Sequence, residues 1–405
     1  MLMASVLMLA AGAFIIASDS QDNDASPSMI GDDLYWEITG GTLKIWGTGD
    51  MWEYTGLITY PWYVNNLYKV KHIELGEGIT SLGKECFGHF PYLTGEIVIP
   101  SSLEKIGASA FTTTGITKLV FAEDSKLKTI GDYAFQGCTS MTEFSIPAGV
   151  EKIGYCAFQD CTSLTGTLAI PKGIKSLGWF AFQNCSKMQG SVEIPSGISL
   201  FGTFDGCSSL TGELRIGEYM QIGSDTFRGC SGLTGTPTFT GQFSMGVQPR
   251  AFEGCSGLTG DIILPDNIFA MVQEAGFKDC TGITSVKILQ GYGLEDYAFA
   301  GCTGLTKVTL GKDIQNLAPT AFDGIKFFDE EGKELVLSEE TVDQFKGYVF
   351  EGKDGELKRI SQTDEDIPDK PEEPTKETNV WMIATPVAFI LGVLLTLLIV
   401  HFRRP

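Results

Sequence analysis

Between Ile79 and Ile325 the apolar residues follow a compound period. Each unit opens on a short alternating run such as Leu168-Ala169-Ile170, in which residues two apart share one face of a strand. Pro171 ends that run by withholding a backbone donor, and Gly173 turns the chain. Ile174 and Leu177 supply two further inward positions. The unit closes on Trp179-Phe180-Ala181-Phe182-Gln183-Asn184-Cys185, a stretch long enough for one helical or 3₁₀ turn on the outer side, with Ala181 and Phe182 facing in.

The closing phrase recurs eleven times, anchored by Phe87, Phe111, Phe135, Phe158, Phe182, Phe204, Phe227, Phe252, Phe277, Phe299 and Phe322, at steps of 22 to 25 residues. A fixed period of this size predicts a solenoid, because one such unit cannot bury its apolar face alone and must stack on neighbours. The expected architecture is an α/β repeat solenoid over 81–325, about eleven coils with short parallel strands. Stacking in register sets like on like, so Phe135, Phe158, Phe182, Phe227, Phe252 and Phe299 are expected in one core spine. The coil at Phe201-Gly202-Thr203-Phe204 is short by two residues, which predicts a local kink or a missing turn.

Residues 32–80 break the period and hold four of the six tryptophans: Trp36, Trp46, Trp52 and Trp62. Leu34 to Trp46 reads as a hairpin about Gly40-Gly41, and 32–80 is expected to be a β cap on the open solenoid end. The tryptophans are then core residues or, alternatively, a sugar platform. Residues 326–360, with a second hairpin at Phe327–Leu337, are expected to seal the other end. Residues 361–379 carry seven acids and three prolines with almost no apolar side chain, the composition of an extended stalk.

The two ends address the chain. Residues 1–18 have the apolar run and polar exit of a signal peptide, although no Lys or Arg follows Met1. Val380 to Val400 is 21 residues without a charge, enough at ~1.5 Å per residue to cross a bilayer core as one helix. Arg403 and Arg404 place the 401–405 tail in the cytoplasm. The expected protein is a single-pass membrane protein at the cell surface, its ectodomain outside. A net charge of −21 (29 basic, 50 acidic residues) argues against nucleic acid as a partner of that ectodomain.

Eight of ten cysteines, Cys138, Cys161, Cys185, Cys207, Cys230, Cys255, Cys280 and Cys302, stand three residues after an anchor phenylalanine and form a ladder. Side chains in register point in parallel rather than at one another, so buried free thiols are expected rather than disulfides. Cys86 and Cys156 are off the ladder, and Cys156 is expected at the surface. No CxxC pair suggests zinc, no GxSxG, Walker loop or GxGxxG suggests catalysis or a nucleotide, and His72 and His89 have no recognisable partners. Neither a catalytic residue, a metal nor a cofactor is expected. The one glycosylation sequon, Asn184-Cys185-Ser186, falls in the closing turn, where a glycan is expected to clash with stacking.

Leu164-Thr165-Gly166-Thr167-Leu168-Ala169-Ile170-Pro171-Lys172-Gly173-Ile174, followed by Leu177-Gly178, Ala181-Phe182 and Cys185-Ser186, resembles the BspA-like leucine-rich repeats of microbial surface proteins. Gly41 to Met51 also resembles the segment that often precedes such arrays. A glycine such as Gly149 stands where the commonest leucine-rich pattern has Asn or Cys, so a straighter β-helix-like rod is the alternative geometry. The resemblance implies a cell-surface adhesion or interaction protein that binds an extracellular protein or glycan; the alternative is a structural coat component without a ligand. The outward rows of the first strands are the expected binding face, with Glu143, Glu193, Glu213, Arg215 and Lys287 as its charged members.

Overall fold

Two short strands and one turn make each coil, and the turn departs from the helical expectation. In the coil of Phe182 the amides of Phe180, Phe182 and Asn184 donate to the next coil, to the carbonyls of Phe201, Thr203 and Asp205 at 2.9, 2.9 and 2.7 Å. The alternate amides of Ala181, Gln183 and Cys185 instead close turns on the residues three back, Gly178, Phe180 and Phe182. A helix would keep all six bonds inside the segment. Here half of them tie coil to coil, and the backbone reverses hand twice to aim them: Phe180 and Asn184 have φ of 57° and 61°. The computed structural model is therefore a β-solenoid rather than an α/β array. It describes residues 28–54, 60–216, 221–237, 246–264 and 270–363. Among these the only helical pieces are Tyr63–Asn66 and the 3₁₀ turn Val342–Gln344, neither in a closing turn.

The described residues all belong to one compact unit, Met1–Thr363. The signal peptide expected at 1–18, the stalk past Thr363, the membrane helix expected at 380–400 and the tail lie outside the described residues. Among the described residues no helix is long and apolar enough to cross a membrane.

The first strands run parallel where they are long, as in Thr94–Ile99 against Gly115–Phe121 and, late in the array, Ile283–Leu294 against Lys307–Leu317. The second strands form one parallel ladder from Ile79–Leu82 to Ser176–Leu177, with Leu82, Ile106, Ile130, Ile153 and Leu177 in register and buried. In the first coils, from Gly83 to Gly178, close stacking calls for glycine ahead of the turn: a Cβ on Gly178 would stand 2.2 Å from the Gly154 carbonyl oxygen.

The phenylalanines do form the spine. From Phe111 to Phe322 successive rings are 5.0 to 5.8 Å apart and within 15° of parallel. The coil of Phe204 lacks neither turn nor anchor, since its ring lies 5.8 Å from Phe182 at 1°. One of the two missing residues is lost before the second strand, since Leu200 follows Leu177 by 23 residues where Leu177 follows Ile153 by 24, and the other between Leu200 and Phe204, where the counterpart of Gly178 is absent. The second-strand ladder ends there at Ser176–Leu177, and Ser199–Leu200 begins a separate pair with Gln221–Ile222.

Both ends of the array are covered by antiparallel strands. Gly31–Thr39 pairs with Thr42–Met51 through Thr39 and Thr42, around Gly40 and Gly41 at φ 60° and 87°, the left-handed pair that a tight hairpin turn requires. Thr42–Met51 then runs parallel to His72–Leu75 and Ile79–Leu82, which occupies the open edge of the first coil. Trp62 continues the spine, 5.8 Å from Phe87, and donates its indole N–H to the Cys86 carbonyl at 2.7 Å. Trp36 packs edge-on against it, while Trp46 and Trp52 are exposed. At the other end Lys326–Phe328 pairs with Glu334–Leu335, and Tyr348–Lys353 pairs antiparallel with the last first-strand through Lys307–Glu351 and Thr309–Val349. The covering strand Glu356–Gln362 runs past 360.

Candidate binding surface

Side chains that point out of the first strands are not used by the core, and the structure sets many of them in register. Glu96 pairs with Lys118, which bridges to Glu143; Val98 pairs with Val120. Lys118 Nζ is 2.7 Å from the Glu143 carboxylate, and that bond and opposite charge raise the lysine above its ordinary pKa. Glu193 pairs with Arg215. Lys287 stands between Ile263 and Thr309, and Asp261, Ser285 and Lys307 form the adjoining row, with Ser285 Oγ donating to Asp261 at 2.7 Å.

The five residues expected to form one charged face therefore fall into separate groups. Glu143 belongs with Lys118, Glu193 with Arg215, and Lys287 with an apolar and a hydroxyl neighbour. Glu213 pairs with Thr234 rather than with Thr236, and Thr167 bridges to Gln189 rather than to Ser191, so the rows slip by two residues in mid-array. Strands of two residues make too few ladder bonds to hold a register against a change of coil length. Within these rows Val98 and Ile263 are 62% and 57% exposed, a high value for β-branched apolar residues on a paired strand.

The cysteine ladder lies on the inner side of the turn. All ten cysteines are free and buried, including Cys156, which the sequence alone placed at the surface. Each ladder thiol donates to the carbonyl of the anchor phenylalanine in the preceding coil, from Cys138 to Phe111 at 3.0 Å through Cys302 to Phe277 at 3.0 Å. Burial pushes these thiols up, to about 11 for Cys138 and about 12 for Cys255 and Cys302. They remain neutral donors rather than nucleophiles.

Two further rows on the outer turn have no counterpart in the sequence reading. One residue past the anchor, Gln136 Nε2 donates to Gln159 at 2.6 Å, Gln159 to Gln183, and Gln183 to Asp205 at 2.7 Å. Arg228 then clasps the buried Asp205 carboxylate through Nε and Nη2 at 2.8 and 2.7 Å. Two or three residues before the anchor, Tyr133, Tyr155, Phe180 and Phe201 meet edge to face at 5.2, 5.8 and 5.5 Å, with Trp179 5.2 Å from Phe201. Their sequence signal is aromatic residues just ahead of the Ala/Thr-Phe pair in four successive turns. Asn184 beside them is exposed, and its side-chain amide, the group that a glycan would occupy, donates to Asp160 of the preceding coil at 2.8 Å.

A family model described as the BspA type leucine rich repeat region matches in six copies over residues 60–138, 128–259 and 221–355, and the chain belongs to that family. Among solved structures it is similar to a leucine-rich repeat protein from Bacteroides ovatus, at 19% identity over 69% of this chain and 94% of that one, TM-score 0.42. It is also similar to a leucine rich cell surface protein from Faecalibacterium prausnitzii, at 19% identity over 80% of this chain and 87% of that one, TM-score 0.40. No curated protein matches it.

Proposed function

We propose that the protein is a cell-surface interaction protein whose strand face binds an extracellular protein or glycan, without a catalytic step. The observation that supports this reading is the in-register outward rows, where Val98 stays exposed beside the Glu96–Lys118 row and Ile263 beside Lys287, in positions that the core does not need. Such a face is held rigid by the coils behind it, so a partner loses little free energy to ordering it. Family membership supports a surface role, and the uncharged segments 1–17 and 380–400 support export and anchoring. Saturable binding of the purified chain to neighbouring or host cells is the expected result. Association only with further copies of itself would favour a coat component instead. External protease on intact cells is expected to remove nearly all of the mass by cutting within 364–377, and full protection would contradict the surface location.

A further inference from the structure

We propose that the outer aromatic strip of Tyr133, Tyr155, Trp179, Phe180 and Phe201 is a second binding platform, distinct from the strand face, for an uncharged polysaccharide. The repeats themselves show that the fold does not need these rings. At the position of Tyr133 and Phe180, two before the anchor, Ser109, Asp225, Arg250 and Ala275 take the same left-handed backbone, and only the isolated Tyr297 late in the array is again aromatic there. That conformation disfavours bulky residues, yet Tyr133 and Phe180 adopt it at φ 57° in turns whose cores are already filled by Phe135 and Phe182. In the next coil Gly202 takes the position, and a Cβ there would stand 2.2 Å from the Phe180 ring. The small residue makes room for the large one.

Chemistry around the strip selects the ligand. Turns 131–138, 154–161, 178–185 and 200–207 contain no Lys, Arg or His, but carry Asp132, Asp160 and Asp205 with the amides of Gln136, Gln159, Gln183 and Asn184. The next three turns reverse this, with Arg228, Arg250 and Lys278 and no outer aromatic residue before Tyr297 in the fourth. An anionic ligand would meet the carboxylates of Asp132 and Asp160, whereas Asp205 is buried and clasped by Arg228 of the next turn. A protein partner needs about 800 Å² of its own surface and a broad apolar centre, which a strip one or two rings wide does not offer. Pyranose rings present polarised C–H faces to aromatic faces, whose quadrupole is negative, and hydroxyls to the flanking amides and carboxylates. Tyr133 and Trp179 are 36% and 37% exposed, open enough for that stacking.

The test is native gel electrophoresis of the full chain through hydroxyethyl cellulose, laminarin, galactomannan, dextran and, as the anionic counterpart, dextran sulfate. At least one neutral polymer is expected to retard the chain. The Tyr133→Ser/Trp179→Ser variant is expected to weaken that retardation at least about tenfold with an unchanged unfolding temperature, and Tyr133→Phe to preserve it. If the double variant does not fold, Trp179→Ser alone is read in its place. No retardation by any neutral polymer, equal retardation by dextran sulfate, or retention of binding in the serine variant would overturn the proposal. So would loss of binding in the strand-face variant Glu193→Ala/Arg215→Ala/Lys287→Ala, because the site would then be the strand face.

Discussion

The Cys185 thiol donates to the Phe158 carbonyl oxygen 3.1 Å away in the preceding coil, and that oxygen also accepts the Cys161 amide at 3.2 Å. One carbonyl thereby uses both lone pairs, and the ladder cysteine serves as a small donor inside an apolar stack. Alkylation of the denatured, unreduced chain is expected to label all eight ladder cysteines, whereas the native chain should label few. Recovery of ladder disulfides would contradict the assignment.

A pH dependence follows from the same burial. Desolvation raises the ladder thiols above the ordinary value, Cys138 to about 11 and Cys255 to about 12. Above the unfolded pKa the unfolded chain has released these protons and the folded chain has not, so stability falls as pH rises. The stabilisation is complete below about pH 8 and is progressively lost toward the folded values. The unfolding temperature is expected to drop steeply between about pH 9 and pH 11; a flat profile there would count against buried neutral thiols.

Stacking distance is tested by two glycines five residues apart. Gly178→Ala places a Cβ against the Gly154 carbonyl, while a Cβ on Gly173 meets nothing within 4 Å. The first substitution is expected to destabilise by about 1–3 kcal/mol and the second by no more than about 0.5 kcal/mol, measured by denaturant unfolding. Phe182→Ala, which empties the spine, is expected to cost about 3–5 kcal/mol.

Sequence periodicity revealed the coils, spine and ladder because each uses the same residue type in nearly every repeat. It also could have revealed half of the left-handed positions: Gly137, Asp160, Asn184 and Gly206, two past the anchor, are residue types that tolerate positive φ. The matching positions before the anchor hold Glu85, Tyr133, Cys156 and Arg250, which share nothing, because bonding between coils imposes their backbone. For the same reason the turn reads as a helix from sequence and is not one. The outward rows were legible where strands are long, at Glu96–Lys118–Glu143 and Asp261–Ser285–Lys307. They were not legible at Thr167 and Glu213, where the short coil lets two-residue strands slip.

The most direct test of the strand-face account compares binding of the full chain and of Glu193→Ala/Arg215→Ala/Lys287→Ala to the same cells, with unfolding temperature as the control. Binding at least about tenfold weaker is expected, with a nearly unchanged unfolding temperature, since Glu193 and Lys287 are exposed and outside the core. Equal binding by the triple variant would contradict it.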